Sequence, residues 1–216
     1  MTSTNPPKSA PRAGSSAKRL AILQAARTVF GRDGYARASI DVIAAEAGAS
    51  TRTLYNHFGG KEALFTEAMT VSSSEIAEAQ IAVLRQHLEH VTDLESALTA
   101  LGFDLATNTL HEQFADHFAI VRQINSEAAH FPPAALRAWR ESGPDRVRHA
   151  LAVHFTAFAA EGRLQPADPE RAALHYLRLI GPERDHVATT PLDDAELREI
   201  VADGVRTFLY GNAARD

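Results

Sequence analysis

The chain has 216 residues and a mass of 23.4 kDa, room for one or two modest domains whose core needs no covalent staple. Hydrophobic residues make up 45% and charged ones 23%, and cysteine is absent, which excludes a disulfide scaffold, a thiol nucleophile, an iron–sulfur cluster and a cysteine-based zinc site. The net charge of −5 is unevenly shared: residues 1–65 hold nine Lys/Arg against four acids, a net of +5, and the remainder thirteen against twenty-three, a net of −10. A basic head on an acidic body points to a polyanion partner for the head alone, with chance clustering on solvated helix faces as the plainer alternative. Apolar runs such as Leu151-Ala152-Val153 soon meet a polar residue, here His154, so no membrane partner is expected. Lys8 and Arg12 precede a helical pattern broken by Arg27 rather than a secretory segment, and the expectation is a cytoplasmic protein.

Residues 1–16 are rich in Ser, Thr, Pro, Gly and Ala without apolar periodicity, and read as a disordered tail. From there the pattern is helical. Leu20, Leu23, Ala26 and Phe30, joined by Ile22 and Val29, recur at three- and four-residue spacing, and Gly34 supplies a stop. Ser39 offers an N-cap for a helix over 40–47 with Ile40, Ile43, Ala44 and Ala47 on one face. Gly48 breaks it, Ser50 caps a short helix reaching about Phe58, and Gly59-Gly60 precede a longer helix starting near Lys61. Beyond, long helices alternate with stops at Phe131-Pro132-Pro133, Gly143-Pro144, Gly162, Asp168-Pro169 and Gly181-Pro182. The last two helices, about 169–180 and 193–210, carry apolar stripes, the clearest being Leu197, Ile200, Val201, Val205, Phe208 and Leu209. Strand-like alternation and fixed-period repeats are missing, so the fold class is all-α.

Two short helices joined at Ala47-Gly48-Ala49 form a helix-turn-helix pattern. Ala44 is small where the helices must approach, and Gly48 tolerates the positive φ of the turn. Leu54 and Phe58 anchor the second helix, which leaves Thr51, Arg52, Thr53, Tyr55, Asn56 and His57 on the opposite face. That face is rich in hydrogen-bond donors and holds no acid, chemistry that suits base edges and phosphates in a major groove. Cations at helix N-termini cost about 0.3–1 kcal/mol each. Lys18 and Arg19 are expected to open the first helix, with Arg52 in the first turn of the third and Lys61 at the start of the fourth. Phosphates docking at those ends would account for them together; exposed side chains with small penalties would account for them singly.

The run Ser39-Ile40-Asp41-Val42-Ile43-Ala44-Ala45-Glu46-Ala47-Gly48-Ala49-Ser50, followed by Thr53-Leu54-Tyr55-Asn56-His57-Phe58 and Lys61-Glu62-Ala63-Leu64, resembles the DNA-binding domain of TetR-family regulators over residues 17–65. Position 52 is Arg where many members have Gly. The resemblance implies a ligand-responsive transcriptional regulator, a repressor, that binds a pseudo-palindromic operator in double-stranded DNA as a homodimer and is released by a small hydrophobic effector. By carry-over Tyr55, His57 and Lys61 would contact phosphates, with Ser39, Lys18 and Arg19 helping, while Thr51, Arg52, Thr53 and Asn56 would face bases. Residues 66–216 would form the ligand-binding and dimerisation domain. Phe131-Pro132, Trp139, Gly143-Pro144, Gly162-Arg163-Leu164 and Asp168-Pro169 resemble the AefR-like subgroup, and the last two helices would form the dimer's four-helix bundle.

An effector pocket is expected among Phe103, Phe114, Phe118, Ile124, Trp139 and Phe155, although aromatic stripes of this kind also build plain core. Ten histidines invite a metal reading, with His87 and His90 one turn apart and His111 and His117 near Glu112 and Asp116, but no HExxH or cysteine spacing accompanies them. Gly60-Lys61 is no phosphate-binding loop, since Glu62 follows the lysine, and no GxSxG or dinucleotide fingerprint occurs. No enzyme, cofactor or metal is therefore expected. The alternatives are an architectural DNA-binding protein without an effector and a metal-sensing regulator.

Overall fold

The computed structural model describes residues 13–108, 112–181 and 193–212. The chain runs through α1 (Ala13–Asp33), α2 (Ile40–Glu46), α3 (Thr51–Phe58), α4 (Lys61–Leu88), α5 (Leu94–Asn108), α6 (Ala115–Glu127), α7 (Pro133–Ser142), α8 (Pro144–Ala160), α9 (Pro169–Leu179) and α10 (Asp194–Asn212). Single 3-10 turns at Glu112–Phe114 and Ala128–His130 flank α6. No strand occurs among the described residues, so the all-α expectation holds.

The glycine stops and the caps of α3 and α10 work as their chemistry dictates. Gly48 and Gly59 take φ of +59° and +78°, a region costly for any residue with a Cβ. Ser50 Oγ accepts from the Thr53 amide at 3.1 Å and so starts α3. Asp193 accepts from the Ala195 and Glu196 amides at 2.9 and 2.8 Å, while Glu196 accepts from the Asp193 amide, a reciprocal box that starts α10. One boundary is corrected. α1 begins at Ala13, inside the stretch read as tail, so Lys18 and Arg19 lie in its second turn and do not open it. After Pro11 no proline follows before the apolar stripe, and the alanine and serine residues between extend the helix backwards. Residues 1–12 of the expected tail lie outside the described residues.

Two hydrophobic cores form, strung on α4, which at 28 residues is about 42 Å long. The first joins Ile22, Val29 and Phe30 of α1 to Ile43, Leu54, Phe58, Leu64, Phe65 and Met69. It does not stop at residue 65: Ile120 and Ile124 of α6, Phe131, and Ala135 of α7 are buried in it. Tyr35, Phe65 and Phe131 meet there as a ring cluster, with centroids 4.9–5.9 Å apart. The second core gathers Leu84, Leu98, Leu101, Phe155, Tyr176, Val201 and Phe208 from α4, α5, α8, α9 and α10. Between them α4 buries Ser72 and Ser73, and Ser72 Oγ lies 2.8 Å from Nδ1 of His117. Burial pushes the His117 imidazole down to about 4.

Candidate nucleic-acid interface

α2 and α3 meet at the Gly48 turn, with Ile43 and Ala44 of α2 and Leu54 and Phe58 of α3 buried against α1 and α4. The remaining face of α3 is what the sequence pattern requires. Arg52, Tyr55 and Asn56 are exposed, and none of their side chains has a hydrogen bond or ion pair with any described residue. Spacings of three and four residues place Arg52 beside both Tyr55 and Asn56 on one helical surface.

Thr51 and Thr53 are less free. Thr51 Oγ1 donates to Asp41 Oδ1 at 2.8 Å, tying the start of α3 back to α2, and Thr53 Oγ1 shares a 2.8 Å hydrogen bond with Ser50 Oγ. Asp41 was not among the expected site residues, although it sits within the motif that carries the resemblance. Ser39 occupies the N-cap of α2 with extended backbone, yet its side chain makes no capping bond, so the expected cap is replaced by an uncommitted hydroxyl.

The cations divide by what they touch. Lys61 Nζ donates to the Ala36 carbonyl at 3.0 Å and stands 5.0 Å from the centre of the Tyr35 ring, where partial burial pulls its pKa down. An ammonium has three donors, so this bond leaves two for an incoming anion. α4 begins after Gly60, which supplies no side-chain cap, and its first amides keep the partial positive charge of a helix N-terminus. Lys18 Nζ donates to the Gly48 carbonyl at 2.8 Å. Arg19 pairs with Glu67, donates to the His57 carbonyl at 3.4 Å and lies 4.6 Å above the Phe58 ring centre. His57 is half-buried at the end of α3.

The residues expected to form one effector pocket are not brought together. Ile124 and Trp139 belong to the core of the head, Phe103 and Phe155 to that of the body, and Phe114 and Phe118 to neither. Phe103 lies instead under the guanidinium of Arg198, 3.7 Å from its ring centre, in an open groove of about 520 Å³. Trp139 Nε1 is buried with no hydrogen-bond partner among the described residues. No cluster of three or more His, Asp or Glu suited to a metal occurs among the described residues, and the expected neighbour His111 lies outside them. Among the described residues no helix is long and apolar enough to cross a membrane.

Comparison with known proteins gives two family matches, one in each part of the chain. Residues 22–68 match the model of bacterial regulatory proteins of the tetR family, and residues 96–211 match the AefR-like transcriptional repressor C-terminal domain. Among solved structures, a TetR-family transcriptional regulator from Mesorhizobium loti is 28% identical, with a TM-score of 0.77 over 94% of this chain and 100% of that one. A TetR-family regulator from Pseudomonas syringae pv. tomato is 27% identical, with a TM-score of 0.70 over 92% of this chain and 98% of that one. The flavonoid-responsive regulator FrrA is 29% identical, with a TM-score of 0.64 over 93% of this chain and 100% of that one. No curated protein sequence matches the chain. With a helix-turn-helix whose outward face is free to meet DNA, and with family matches over both head and body, the chain belongs to the TetR family of DNA-binding transcriptional regulators and carries an AefR-like C-terminal domain.

Proposed function

We propose that this regulator is a repressor that binds a pseudo-palindromic operator as a homodimer and leaves it when a small hydrophobic effector enters the body. The observation that carries the DNA half is the unpartnered Arg52, Tyr55 and Asn56 on α3. In this reading Arg52 reaches the O6 and N7 acceptors of a guanine, and Asn56 reads a neighbouring base. Thr51 and Thr53 face bases at the start of the helix with the lone pairs and hydroxyl hydrogens left to them. Tyr55, His57, Ser39 and Lys61 hold phosphates, Lys61 together with the free amides at the start of α4.

The homodimer would form through α9 and α10, where Leu174, Leu179 and Tyr210 are 38%, 37% and 87% exposed. Two-fold pairing there would set the α3 helices one turn of DNA apart, about 34–36 Å. Release by an effector is a population shift: the ligand must bind better to a dimer whose heads are wrongly spaced. FrrA, described as flavonoid-responsive, supports a small organic effector for this chain. The work is done in the cytoplasm, where the operator is.

The test is retention of random genomic fragments at two salt concentrations, followed by sequencing. Recovery of a two-fold symmetric site, with affinity falling steeply as salt rises, is the expected result. Salt-sensitive retention without a shared sequence would instead favour an architectural DNA-binding protein.

A further inference from the structure

α3 has only eight residues and two buried side chains, Leu54 and Phe58. A helix that short has little stability of its own, and something outside it must fix its direction on the head. Two adjacent residues of α1 reach its two ends. Lys18 Nζ donates at 2.8 Å to the carbonyl of Gly48, the turn residue from which the chain enters α3. Arg19 reaches the other end: it donates to the His57 carbonyl, one of the last in α3 and without a partner in its own helix, and covers the Phe58 ring. Glu67 on α4 holds the guanidinium in that place. A cation at a helix C-terminus also sits where the backbone dipole favours it.

We propose that Lys18 and Arg19 are positioning residues that grip the recognition helix from both ends, and not the phosphate contacts that the family resemblance implies. The proposal rests on the DNA-binding reading above. It assigns the Arg19 charge to the Glu67 carboxylate and directs the Lys18 ammonium to the Gly48 carbonyl, and it places neither on a phosphate.

The experiment uses the full chain with Lys18→Met, Arg19→Lys and Glu67→Gln, each titrated against the selected operator and a random duplex over a range of salt. A lost phosphate contact lowers the slope of log affinity against log salt by about 0.9 and weakens both duplexes alike. A lost positioning contact leaves the slope and the random-duplex affinity at their wild-type values and lowers operator affinity, here about tenfold. Arg19→Lys keeps the charge but cannot span Glu67, the His57 carbonyl and the Phe58 ring together, and is expected to lose operator affinity as well. Glu67→Gln decides by its sign. Removing an acid that holds Arg19 in place weakens operator binding if Arg19 positions α3, and strengthens it if Arg19 meets a phosphate. Amide exchange over residues 49–58 of the free protein is expected to quicken in all three variants. A slope reduced by about 0.9 in Lys18→Met, wild-type binding by Arg19→Lys, or tighter binding by Glu67→Gln would overturn the proposal. A wild-type chain retained by no duplex would overturn the DNA-binding reading, and the exchange measurement would still decide whether the two residues grip α3.

Discussion

Gly204 of α10 lies against the carbonyl oxygen of Leu179 at the end of α9, closer than a methyl group on Gly204 would tolerate. The neighbour is backbone, which cannot swing aside as a flexible side chain can. Gly204→Ala is therefore expected to part α9 from α10 at a cost of about 3 kcal/mol. Thermal unfolding should report it as a midpoint lowered by roughly 6–12 °C. Gly211, near the end of the same helix, has open space at its Cβ position. Gly211→Ala should change stability by less than about 1 kcal/mol, which separates crowding at Gly204 from helix propensity.

Arg52 and Lys61 are expected to fail differently. Arg52→Ala removes the one unpartnered cation of α3 and should cost about 1–3 kcal/mol at the operator while leaving random-duplex affinity nearly unchanged. Lys61→Ala should weaken all sequences alike and lower the salt slope by about 0.9. Equal losses on specific and random DNA for Arg52→Ala would refute this division between them.

His117 makes stability depend on pH. Its imidazole is neutral in the folded protein, held near 4 by burial, whereas in the unfolded chain it takes up a proton near 6.5. Between those values the unfolded state binds the extra proton, so stability falls as the pH drops from 6.5 towards 4 and is fully present above 6.5. From pH 7 to pH 5 the linkage amounts to about 2 kcal/mol. His117→Leu should remove about that much of the pH dependence in urea unfolding, while Ser72 keeps the Met69 carbonyl, 3.3 Å away, as its acceptor.

The dimer reading makes its own demand. Leu174→Asp with Tyr210→Asp places charge on exposed positions of α9 and α10 and leaves the buried core untouched. Sedimentation should then show a single chain of 23.4 kDa where the wild type sediments as a pair, together with loss of operator affinity at the same protein concentration.

The head was largely legible because its signals are local. Gly48, Ser50, Gly59 and the Leu54–Phe58 spacing each act within one turn of chain, and the structure follows them closely. What stayed illegible is pairing at long range. Periodicity marks an apolar face but not its partner, so Ile124 and Trp139 read as pocket residues and turn out to pack with the head. Lys18 and Arg19 looked like misplaced cations because the start of α1 was masked by a proline- and serine-rich composition, and because Gly48 and Glu67 lie 30 and 48 residues away. Asp41 escaped notice because its acceptor role appears only once α2 and α3 have folded onto each other. The run Ser72-Ser73-Ser74, set in the middle of a helix of apolar stripes, is a local signal that marks where one core ends and the other begins.

The reach of α6 and α7 into the core of the head bears on how this protein divides. A fragment cut after residue 65 would lose Ile120, Ile124, Phe131 and Ala135, and the Phe30, Tyr35 and Phe65 rings would face water on that side. Anyone transplanting this DNA reader onto a foreign body would have to carry along two helices that begin fifty or more residues downstream. Head and body are thus woven together in sequence order, and a simple exchange of the first third of the gene would yield a chimera with an open seam.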